Sequence, residues 1–359
     1  MDKRLFTPGP TNVPEQIRYV LAQDMIHHRT GDYHEIVKEV TVGLKKIFDT
    51  TGDVIILTAS GTGAMESAVI NLFSEGDEVL IINTGSFGQR FVEMCTMFKL
   101  ITHQLNYDWG TSYQLDEVIQ KLEQHPKIRG IFVTYHETST GVCNNLQSLG
   151  ELTRNTNQLL IADCISGMIA HPFHLDEWGV DCALSSSQKG FNLPPGLSFV
   201  ALSEKATRAI ETSRIPKYYF DYKKYLKALH TKSEQPFTPA ISTVRSLQQS
   251  LNIMISKGIE PIISEQYSLR KYTEQKFLEM GFKLFVENEE NRGNVLVSVL
   301  PPNHIDVNEL CKKLDTMYDL TVAGGIGPYA GKMLRVGIIG TITVQDIDNL
   351  VETIKKLIT

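Results

Sequence analysis

Residues 54–73 read VIILTASGTGAMESAVINLF. Residues 54–58 are aliphatic and mostly β-branched, which predicts a buried strand. Residues 63–73 have the length and apolar spacing of a helix, and a glycine-rich turn joins the two elements. A buried strand followed at once by a turn and a helix is the repeating unit of a parallel sheet covered by helices.

The same strand–helix alternation continues through the first half of the chain. Further strands are predicted at residues 78–82, 100–105, 130–134, 158–162, 182–185 and 197–202. Helices are predicted between them at residues 87–97, 115–123 and 146–155. The alternation predicts an α/β fold whose large domain, residues 21–240, is built on a mainly parallel, doubly wound sheet.

The pattern changes after about residue 236, where two long helices are predicted at 241–257 and 262–280. Shorter elements follow them. The strands are predicted at 283–286, 295–299, 320–323 and 333–336, and the helices at 307–317 and 344–358. This second pattern predicts a smaller C-terminal α+β domain over residues 241–359, which includes the linking helix.

Between these two parts, residues 217–237 are rich in aromatic and basic side chains. Aromatic enrichment can indicate an interface with another protein. A surface loop packed on its own chain explains the composition equally well, so the sequence leaves both interpretations open.

Composition argues against several classes of protein. The 359 residues include 35 Lys and Arg against 41 Asp and Glu, a net charge of -6, which argues against a general nucleic-acid-binding protein. The five cysteines are far apart and form no C-x-x-C pair, so neither a disulfide framework nor a metal site is predicted. The chain has no signal-peptide pattern and no apolar run of membrane-spanning length. We therefore expect a cytoplasmic protein without a membrane partner.

A glycine-rich turn made of Ser60, Gly61, Thr62, Gly63 and Ala64 follows the first strand. Glycines let the backbone approach an anion, hydroxyls add donors, and the amino terminus of the next helix favours a phosphate. The turn is neither a Walker loop nor a dinucleotide-binding G-x-G-x-x-G motif. A strand-to-helix turn without a ligand is the alternative.

Two charged residues follow later strands of the predicted sheet. Asp163 comes directly after strand 158–162, at the edge where ligands bind in open α/β sheets. Lys189 lies in the run SSSQKG at residues 185–190, where burial would make its amine nucleophilic. Taken singly, Asp163 also fits a helix cap or a loop, and Lys189 also fits an exposed turn.

The phosphate turn, the strand-end aspartate and the later lysine together meet the needs of pyridoxal phosphate. Its phosphate must be held, its aldehyde must join a lysine, and its ring nitrogen must face a carboxylate. Thr62, Asp163 and Lys189 follow three strands of one predicted sheet, so we expect them to meet at one edge. The sequence therefore predicts a pyridoxal-phosphate enzyme with Lys189 and Asp163 as catalytic residues.

Over essentially its whole length, the chain resembles the class V (fold type I) aminotransferases of the alanine–glyoxylate and serine–glyoxylate (pyruvate) group. The motifs occur in the family's order. They are TPGPTNVP at 7–14, HRT at 28–30, SGTGAME at 60–66, GSFGQR at 85–90, HETSTG at 136–141, SQK at 187–189 and LRVG at 334–337. The resemblance implies pyridoxal 5'-phosphate as cofactor, an amino acid and a 2-oxo acid as substrates, and a homodimer.

The resemblance also implies roles for residues of the large domain. Phe87 would stack on the cofactor ring, Thr138 would bind its ring oxygen, and Gln188 would lie near its phosphate. Asp163 would pair with the ring nitrogen, and Lys189 would carry the cofactor as a Schiff base.

Other implied site residues lie outside this set. An N-terminal segment, residues 1–20, would reach the active site and bring Gly9 and Pro10 to the substrate. Arg335 would bind the substrate α-carboxylate, because a planar guanidinium holds a carboxylate with two hydrogen bonds. Thr238 would contact the phosphate in the other subunit of the dimer. By charge alone, Arg29 and Arg90 are candidates for binding a second substrate carboxylate.

The predicted function is an aminotransferase that moves an amino group from a small L-amino acid, such as alanine or serine, to a 2-oxo acid such as glyoxylate or pyruvate. Lys189 would move the proton in a ping-pong reaction. A lyase, decarboxylase or epimerase with the same cofactor is the alternative. A cysteine desulfurase is disfavoured because Cys311 lies inside predicted helix 307–317. A non-catalytic binding protein is a more remote alternative.

Overall fold

The computed structural model describes residues 3–358, so residues 1 and 2 of the predicted segment 1–20 and residue 359 of the predicted domain 241–359 lie outside the described residues. The strands, in chain order, are β1 (Arg4–Phe6), β2 (Asp53–Leu57), β3 (Glu78–Asn83), β4 (Ile101–Asn106), β5 (Ile128–Thr134), β6 (His136–Glu137), β7 (Val142–Cys143), β8 (Leu159–Asp163), β9 (Cys182–Ser186), β10 (Ser198–Leu202), β11 (Lys283–Leu284), β12 (Leu296–Leu300), β13 (Leu320–Gly324) and β14 (Leu334–Gly337). The helices are α1 (Glu15–Leu21), α2 (Gly31–Phe48), α3 (Gly61–Leu72), α4 (Ser86–Met97), α5 (Leu115–Gln124), α6 (Leu146–Thr153), α7 (Leu175–Trp178), α8 (Glu204–Thr212), α9 (Tyr222–Lys232), α10 (Ile241–Lys257), α11 (Ile259–Glu279), α12 (Val307–Tyr318) and α13 (Val344–Ile358). Within the described range, no helix is both long and apolar enough to span a membrane.

Seven strands form the large sheet, in the order β2-β10-β9-β8-β5-β3-β4. The neighbouring strands from β9 to β4 are all parallel, whereas β10 runs antiparallel to both β2 and β9. The predicted mainly parallel sheet is therefore confirmed. Every strand except β10 has its carboxyl end at the same edge of the sheet, which is where a shared site can form.

Helices cover both faces of this sheet, as its unbroken apolar strands require. In β3, Val79 and Ile81 belong to one buried cluster, whereas Leu80 and Ile82 belong to another. Helices α3, α4, α8 and α9 pack on the first cluster, and α2, α5, α6 and α10 pack on the second. Because successive side chains of a strand point to opposite faces, the two clusters lie on opposite sides of the sheet.

A second sheet has five strands, in the order β1-β13-β14-β12-β11. Its outer strand β1 comes from the N-terminal segment and pairs in parallel with β13, so that Arg4 lies opposite Leu320. Phe6 is fully buried among side chains of α12 and α13. The N-terminal segment therefore starts in the smaller sheet, which the sequence analysis did not predict.

Helix α10 lies at the boundary between the two parts. Its buried side chains, Leu247 among them, pack in the large core against α2, although the predicted boundary after residue 240 assigned this helix to the small domain. Gly258, with a φ of +89°, separates α10 from α11. The first turn of α11 still packs on the large core through Ile259 and Ile262, and the helix enters the small core from Leu269 onward. Pro261 lies in the first turn of α11, where a helix needs no amide donor, so the helix begins before it.

Helix α9 occupies the middle of the aromatic and basic segment 217–237, so the prediction of a loop is wrong there, although the segment does pack on its own chain. Tyr222 is fully buried, and its hydroxyl shares a hydrogen bond of 2.7 Å with Ser67 Oγ. Tyr225 is also buried in the core on that face of the sheet. Some of the aromatic side chains of this segment are therefore part of the core, whereas Tyr218 is exposed.

Candidate active site

The residues predicted to carry chemistry lie along the carboxyl edge of the large sheet. The glycine-rich turn follows β2, Asp163 is the last residue of β8, and Lys189 follows β9. Thr138 follows β5 at the same edge. Because these strands are parallel, residues far apart in the sequence are brought together.

The glycine-rich turn forms the amino terminus of α3. Ser60 is the N-cap, and its Oγ accepts a hydrogen bond of 3.4 Å from the Gly63 amide. The cap starts the helix at Gly61, earlier than predicted. A β-carbon on Gly61 would lie 2.6 Å from Cδ1 of Ile165, so any larger residue there would require Ile165 to move. The unpaired amides of a first helical turn favour a phosphate.

Thr62 and Ala64 differ in what they offer at this turn. Thr62 Oγ1 accepts a hydrogen bond of 2.8 Å from Nη1 of Arg90, which places a cation beside the turn. Ala64 is fully buried, and its amide donates to the Ser60 carbonyl over 3.2 Å. The Ala64 amide is therefore already engaged by the helix.

Phe87 lies in the first turn of α4. The guanidinium carbon of Arg90, on the same helix, is 4.8 Å from the centre of the Phe87 ring. A guanidinium at this distance from an aromatic ring is attracted to it. Arg90 therefore links the ring of Phe87 to the hydroxyl of Thr62, and its guanidinium forms no ion pair within the described residues.

Glu137 anchors the start of α4, and the sequence analysis assigned it no role. Its fully buried carboxylate accepts hydrogen bonds from the amides of Phe87 and Gly88, both at 3.1 Å. The amide of Ser139 (3.1 Å) and its hydroxyl donate to the same carboxylate. Burial raises the pKa of Glu137, and these hydrogen bonds oppose that rise. The signal in the sequence is its place in the motif HETSTG at residues 136–141, shortly after a buried strand.

Asp163 is a buried carboxylate at the end of β8. Its Oδ1 accepts a hydrogen bond of 2.9 Å from the Ile165 amide. Burial raises the pKa of Asp163 to about 7, and the nearby charge of Glu137 adds to the rise. Across residues 3–358, no cationic side chain lies within ion-pair distance of this carboxylate. A buried carboxylate without a cationic partner suits a protonated ring nitrogen.

Lys189 is also buried, and its Nζ donates a hydrogen bond of 2.6 Å to the Pro8 carbonyl. Burial lowers the pKa of Lys189 to about 8, and the charge of Arg335 acts in the same direction. The charge of Asp163 acts against them. An amine with a lowered pKa is unprotonated more often at neutral pH, as a nucleophile or base must be.

The N-terminal segment covers the lysine. The amide of Thr11 donates to the Gln188 carbonyl over 3.1 Å, and its hydroxyl donates to the Lys189 carbonyl over 3.3 Å. The Pro10 carbonyl accepts a hydrogen bond of 2.7 Å from the Thr7 hydroxyl. These contacts hold residues 8–11 over the segment that carries Lys189.

Arg335 and Thr138 connect the two sheets. Nη1 of Arg335, in β14, donates a hydrogen bond of 2.9 Å to the Thr138 carbonyl, and its Nε donates to the Gly324 carbonyl over 2.9 Å. The guanidinium is therefore held in one orientation. The hydroxyl of Thr138 shares a hydrogen bond of 2.6 Å with Ser166, a residue that the sequence analysis did not select.

The remaining predicted residues lie around this group. Gln188 Oε1 accepts a hydrogen bond of 2.8 Å from Ser186 Oγ. Arg29 forms an ion pair of 2.7 Å with Glu234 and donates to the carbonyls before Phe237, so it holds that segment. Thr238, just beyond, is exposed and has no hydrogen-bond partner among the described residues. Within one chain, Thr238 therefore has no hydrogen bond to the group around Lys189.

This donor set fits pyridoxal phosphate. The helix terminus at Ser60 would hold its phosphate, the buried carboxylate of Asp163 would face its ring nitrogen, and Lys189 would join its aldehyde. The chemistry of these three groups, rather than any one of them, supports the fit.

Residues 11–350 match the model of the aminotransferase class-V family. The chain belongs to this family. It is a transaminase, and its cofactor is pyridoxal phosphate, as class-V aminotransferases depend on that cofactor. The resemblance and the fold type I architecture inferred from the motifs are therefore confirmed.

Relatives of this aminotransferase carry two kinds of name. The soluble hydrogenase 42 kDa subunit of Anabaena cylindrica is 34% identical over 99% of this chain and 92% of its own length. The serine–glyoxylate aminotransferase of Arabidopsis thaliana is 33% identical over 94% of this chain and 86% of its own. A crystal structure of an alanine–glyoxylate aminotransferase from Nostoc sp. superposes with a TM-score of 0.96 at 27% identity, covering 100% of this chain and 96% of that one.

Proposed function

We propose that this aminotransferase moves the amino group of a small L-amino acid, alanine or serine, to a 2-oxo acid such as glyoxylate or pyruvate. The observation that carries the proposal is the buried Lys189 amine, which lies at the same sheet edge as Asp163 and donates a hydrogen bond of 2.6 Å to the Pro8 carbonyl. The choice of substrates is supported by relatives named serine–glyoxylate and alanine–glyoxylate aminotransferases.

Pyridoxal phosphate, when bound, supplies a ring that takes up the electron pair released as the substrate Cα–H bond breaks. In the proposed reaction, Nζ of Lys189 removes the proton from Cα and returns it on the cofactor side. A pKa lowered to about 8 by burial supports this double role, because the amine can both accept and donate the proton near neutral pH. The second substrate reverses the steps, which gives ping-pong kinetics.

The surrounding residues have positioning roles in this proposal. The carboxylate of Asp163 stabilises a positive ring nitrogen, and the first turn of α3 holds the phosphate. Phe87 stacks on the ring, and the hydroxyl of Thr138 binds its oxygen. Arg335 binds the substrate α-carboxylate in an orientation that its hydrogen bonds to the Thr138 and Gly324 carbonyls support.

We also propose a homodimer in which Thr238 of each chain completes the phosphate site of the other. The proposal is supported by the exposure of Thr238 and by the exposed Tyr218, on the same segment. In a dimer, Thr238→Ala should weaken cofactor binding while Lys189 stays in place. Light scattering that gives the mass of a single chain would contradict the dimer.

A cytoplasmic location is proposed as well. It is supported by the cysteines, all of which are free thiols, because cytosolic reductants keep thiols unpaired. Fractionation of source cells tests it, and recovery outside the cytoplasm would contradict it.

The experiment that tests the function is a half-reaction followed by absorption spectroscopy. The holoenzyme is mixed with alanine, serine or aspartate, and conversion to the pyridoxamine form is recorded. Glyoxylate or pyruvate is then added, and return of the original spectrum is expected with the true acceptor. Lys189→Ala should abolish both changes. Release of ammonia or carbon dioxide without an acceptor would favour a lyase or a decarboxylase instead.

A further inference from the structure

A second cluster of chemically active side chains lies at the opposite end of the large sheet from Lys189. Glu78 is the first residue of β3, His103 lies near the start of β4, and His125 is the C-cap of α5, just before β5. These positions are at the amino ends of the parallel strands. The cluster is therefore separate from the active site.

Strand pairing explains why these side chains meet. His103 pairs with Leu80, and Glu78 lies two residues before Leu80. The side chains of Glu78, Leu80 and His103 therefore point to the same face of the sheet. Helix α5 covers this face with Val118, in the same cluster as Leu80, and delivers His125 at its end. The three side chains thus come from three elements that are far apart in the sequence.

The geometry of the cluster is compact. Each residue offers one ligand atom, and these atoms all lie within 4.8 Å of one another. Glu78 Oε2 is 2.9 Å from His103 Nε2, and the ring centres of His103 and His125 are 3.9 Å apart. The side chains of Glu78 and His103 are 19% and 17% exposed, so the group is half-buried yet open to solvent on one side.

We propose that Glu78, His103 and His125 bind a zinc-class divalent metal ion. Two imidazole nitrogens and one carboxylate oxygen are a common ligand set for Zn²⁺, with water in the fourth position. The one formal negative charge leaves the bound ion a net positive charge, which the open side lets water solvate. Magnesium and calcium prefer oxygen ligands and are not expected to bind.

A plain ion pair between His103 and Glu78 is the competing explanation, but it leaves His125 unexplained. Two imidazoles this close, with ring planes tilted by 30°, are accommodated together when both act as neutral ligands of one metal ion. Two imidazoles on one zinc ion, each at about 2.0–2.1 Å, have ring centres roughly 5 Å apart. Metal binding therefore needs the two tilted rings to move apart by only about 1 Å.

The acidic side chains near the cluster are paired with cations, so they add no fourth ligand. Asp77, next to Glu78, pairs with Arg129 at 2.8 Å, and Glu75 pairs with Lys99 at 2.9 Å. A metal at the cluster would join the edge strand β4 to β3 and to the end of α5. Metal binding would therefore stabilise the β4 edge of the large sheet and would not change the transamination rate.

The test uses chelator-treated holoenzyme. Zn²⁺ binding is measured by competition with a chromophoric chelator, and Co²⁺ is added separately because its visible spectrum reports nitrogen and oxygen ligands. We expect one Zn²⁺ per chain and a thermal midpoint that rises with Zn²⁺ concentration. His125→Ala and Glu78→Gln should each weaken Zn²⁺ binding about tenfold or more, since each removes a ligand.

His230→Ala is the matched control. His230 pairs with Asp53 at 3.0 Å but, within the described residues, belongs to no group of three ligands. It should leave Zn²⁺ binding unchanged. The transamination rate and the thermal midpoint in chelator show whether each variant is folded. Unchanged Zn²⁺ affinity in both ligand variants, or no saturable Zn²⁺ binding by the wild-type protein, would overturn the proposal.

Discussion

A β-carbon on Gly9 would lie 2.4 Å from Cδ and 2.6 Å from Nζ of Lys189. Gly9 also has a φ of +130°, a backbone conformation that other residues rarely adopt. The absence of a side chain at this position therefore decides whether the N-terminal segment can lie over the lysine. The N-terminal segment and Lys189 are far apart in the sequence, and the close approach of Gly9 to Lys189 brings them together at the proposed reaction centre.

Gly9→Ala should lower kcat by about tenfold or more, because a methyl group would displace either the lysine or the segment that covers it. The measurement is kcat for the half-reaction together with cofactor absorbance. Gly76→Ala is the control: Gly76 has a φ of +84°, but nothing lies within 4 Å of its added β-carbon. Equal kcat in Gly9→Ala and the wild type would show that the lysine tolerates the methyl group.

Asp163→Asn should abolish turnover and yet stabilise the cofactor-free protein above pH 7. Burial raises the pKa of Asp163 to about 7, above its usual 3.8, so the folded state prefers the protonated form. The stability from this preference is complete below about pH 4 and is lost as the pH rises through about 7. The amide of Asn does not ionise, so the variant Asp163→Asn does not lose this stability as the pH rises.

The expected gain in unfolding free energy is roughly 1–4 kcal/mol at pH 8 and close to zero near pH 4. Urea denaturation of the cofactor-free proteins at both pH values measures it. In the holoenzyme the order should reverse, because the wild-type carboxylate then faces a cation. A variant that is less stable than the wild type at pH 8 without cofactor would contradict this account of Asp163.

Glu137→Ala should destabilise the protein by about 2–4 kcal/mol, because the buried amides of Phe87 and Gly88 would lose their acceptor. Cofactor affinity should fall as well, since Phe87 would no longer be held at the start of α4. Glu137→Gln keeps one acceptor oxygen and should lose less stability. Denaturation midpoints of the two variants test this, and equal losses would argue against the hydrogen bonds as the cause.

Arg335→Lys should raise KM for the amino acid by roughly 10- to 100-fold with a smaller change in kcat. Lysine keeps the charge but loses the planar fork and the paired contacts to the Thr138 and Gly324 carbonyls. Steady-state kinetics with the best donor measure the change. A loss confined to kcat would assign Arg335 to the chemical step rather than to carboxylate binding.

The local pattern of apolar residues was enough to predict the large sheet. The apolar runs that include Val79 and Leu80 require burial on both faces, and the helices between them require crossovers, so a parallel sheet follows. The positions of Thr62, Asp163 and Lys189 after three strands then place them at one edge. These features depend on spacing along the chain, which the sequence displays directly.

Features that depend on contacts between distant segments were not predictable in this way. Strand β1 is too short to show a pattern, and it forms only because it pairs with β13 at the other end of the chain. The role of Glu137 becomes visible only when β6 lies beside the start of α4.

The cluster of Glu78, His103 and His125 has no motif spacing, because strand order and helix length bring its members together. Periodicity in the sequence therefore specified the elements and their burial, and the residues that follow the strands indicated the cofactor site. Long-range packing specified which side chains meet, because the energy of those contacts exists only when the sheets are assembled.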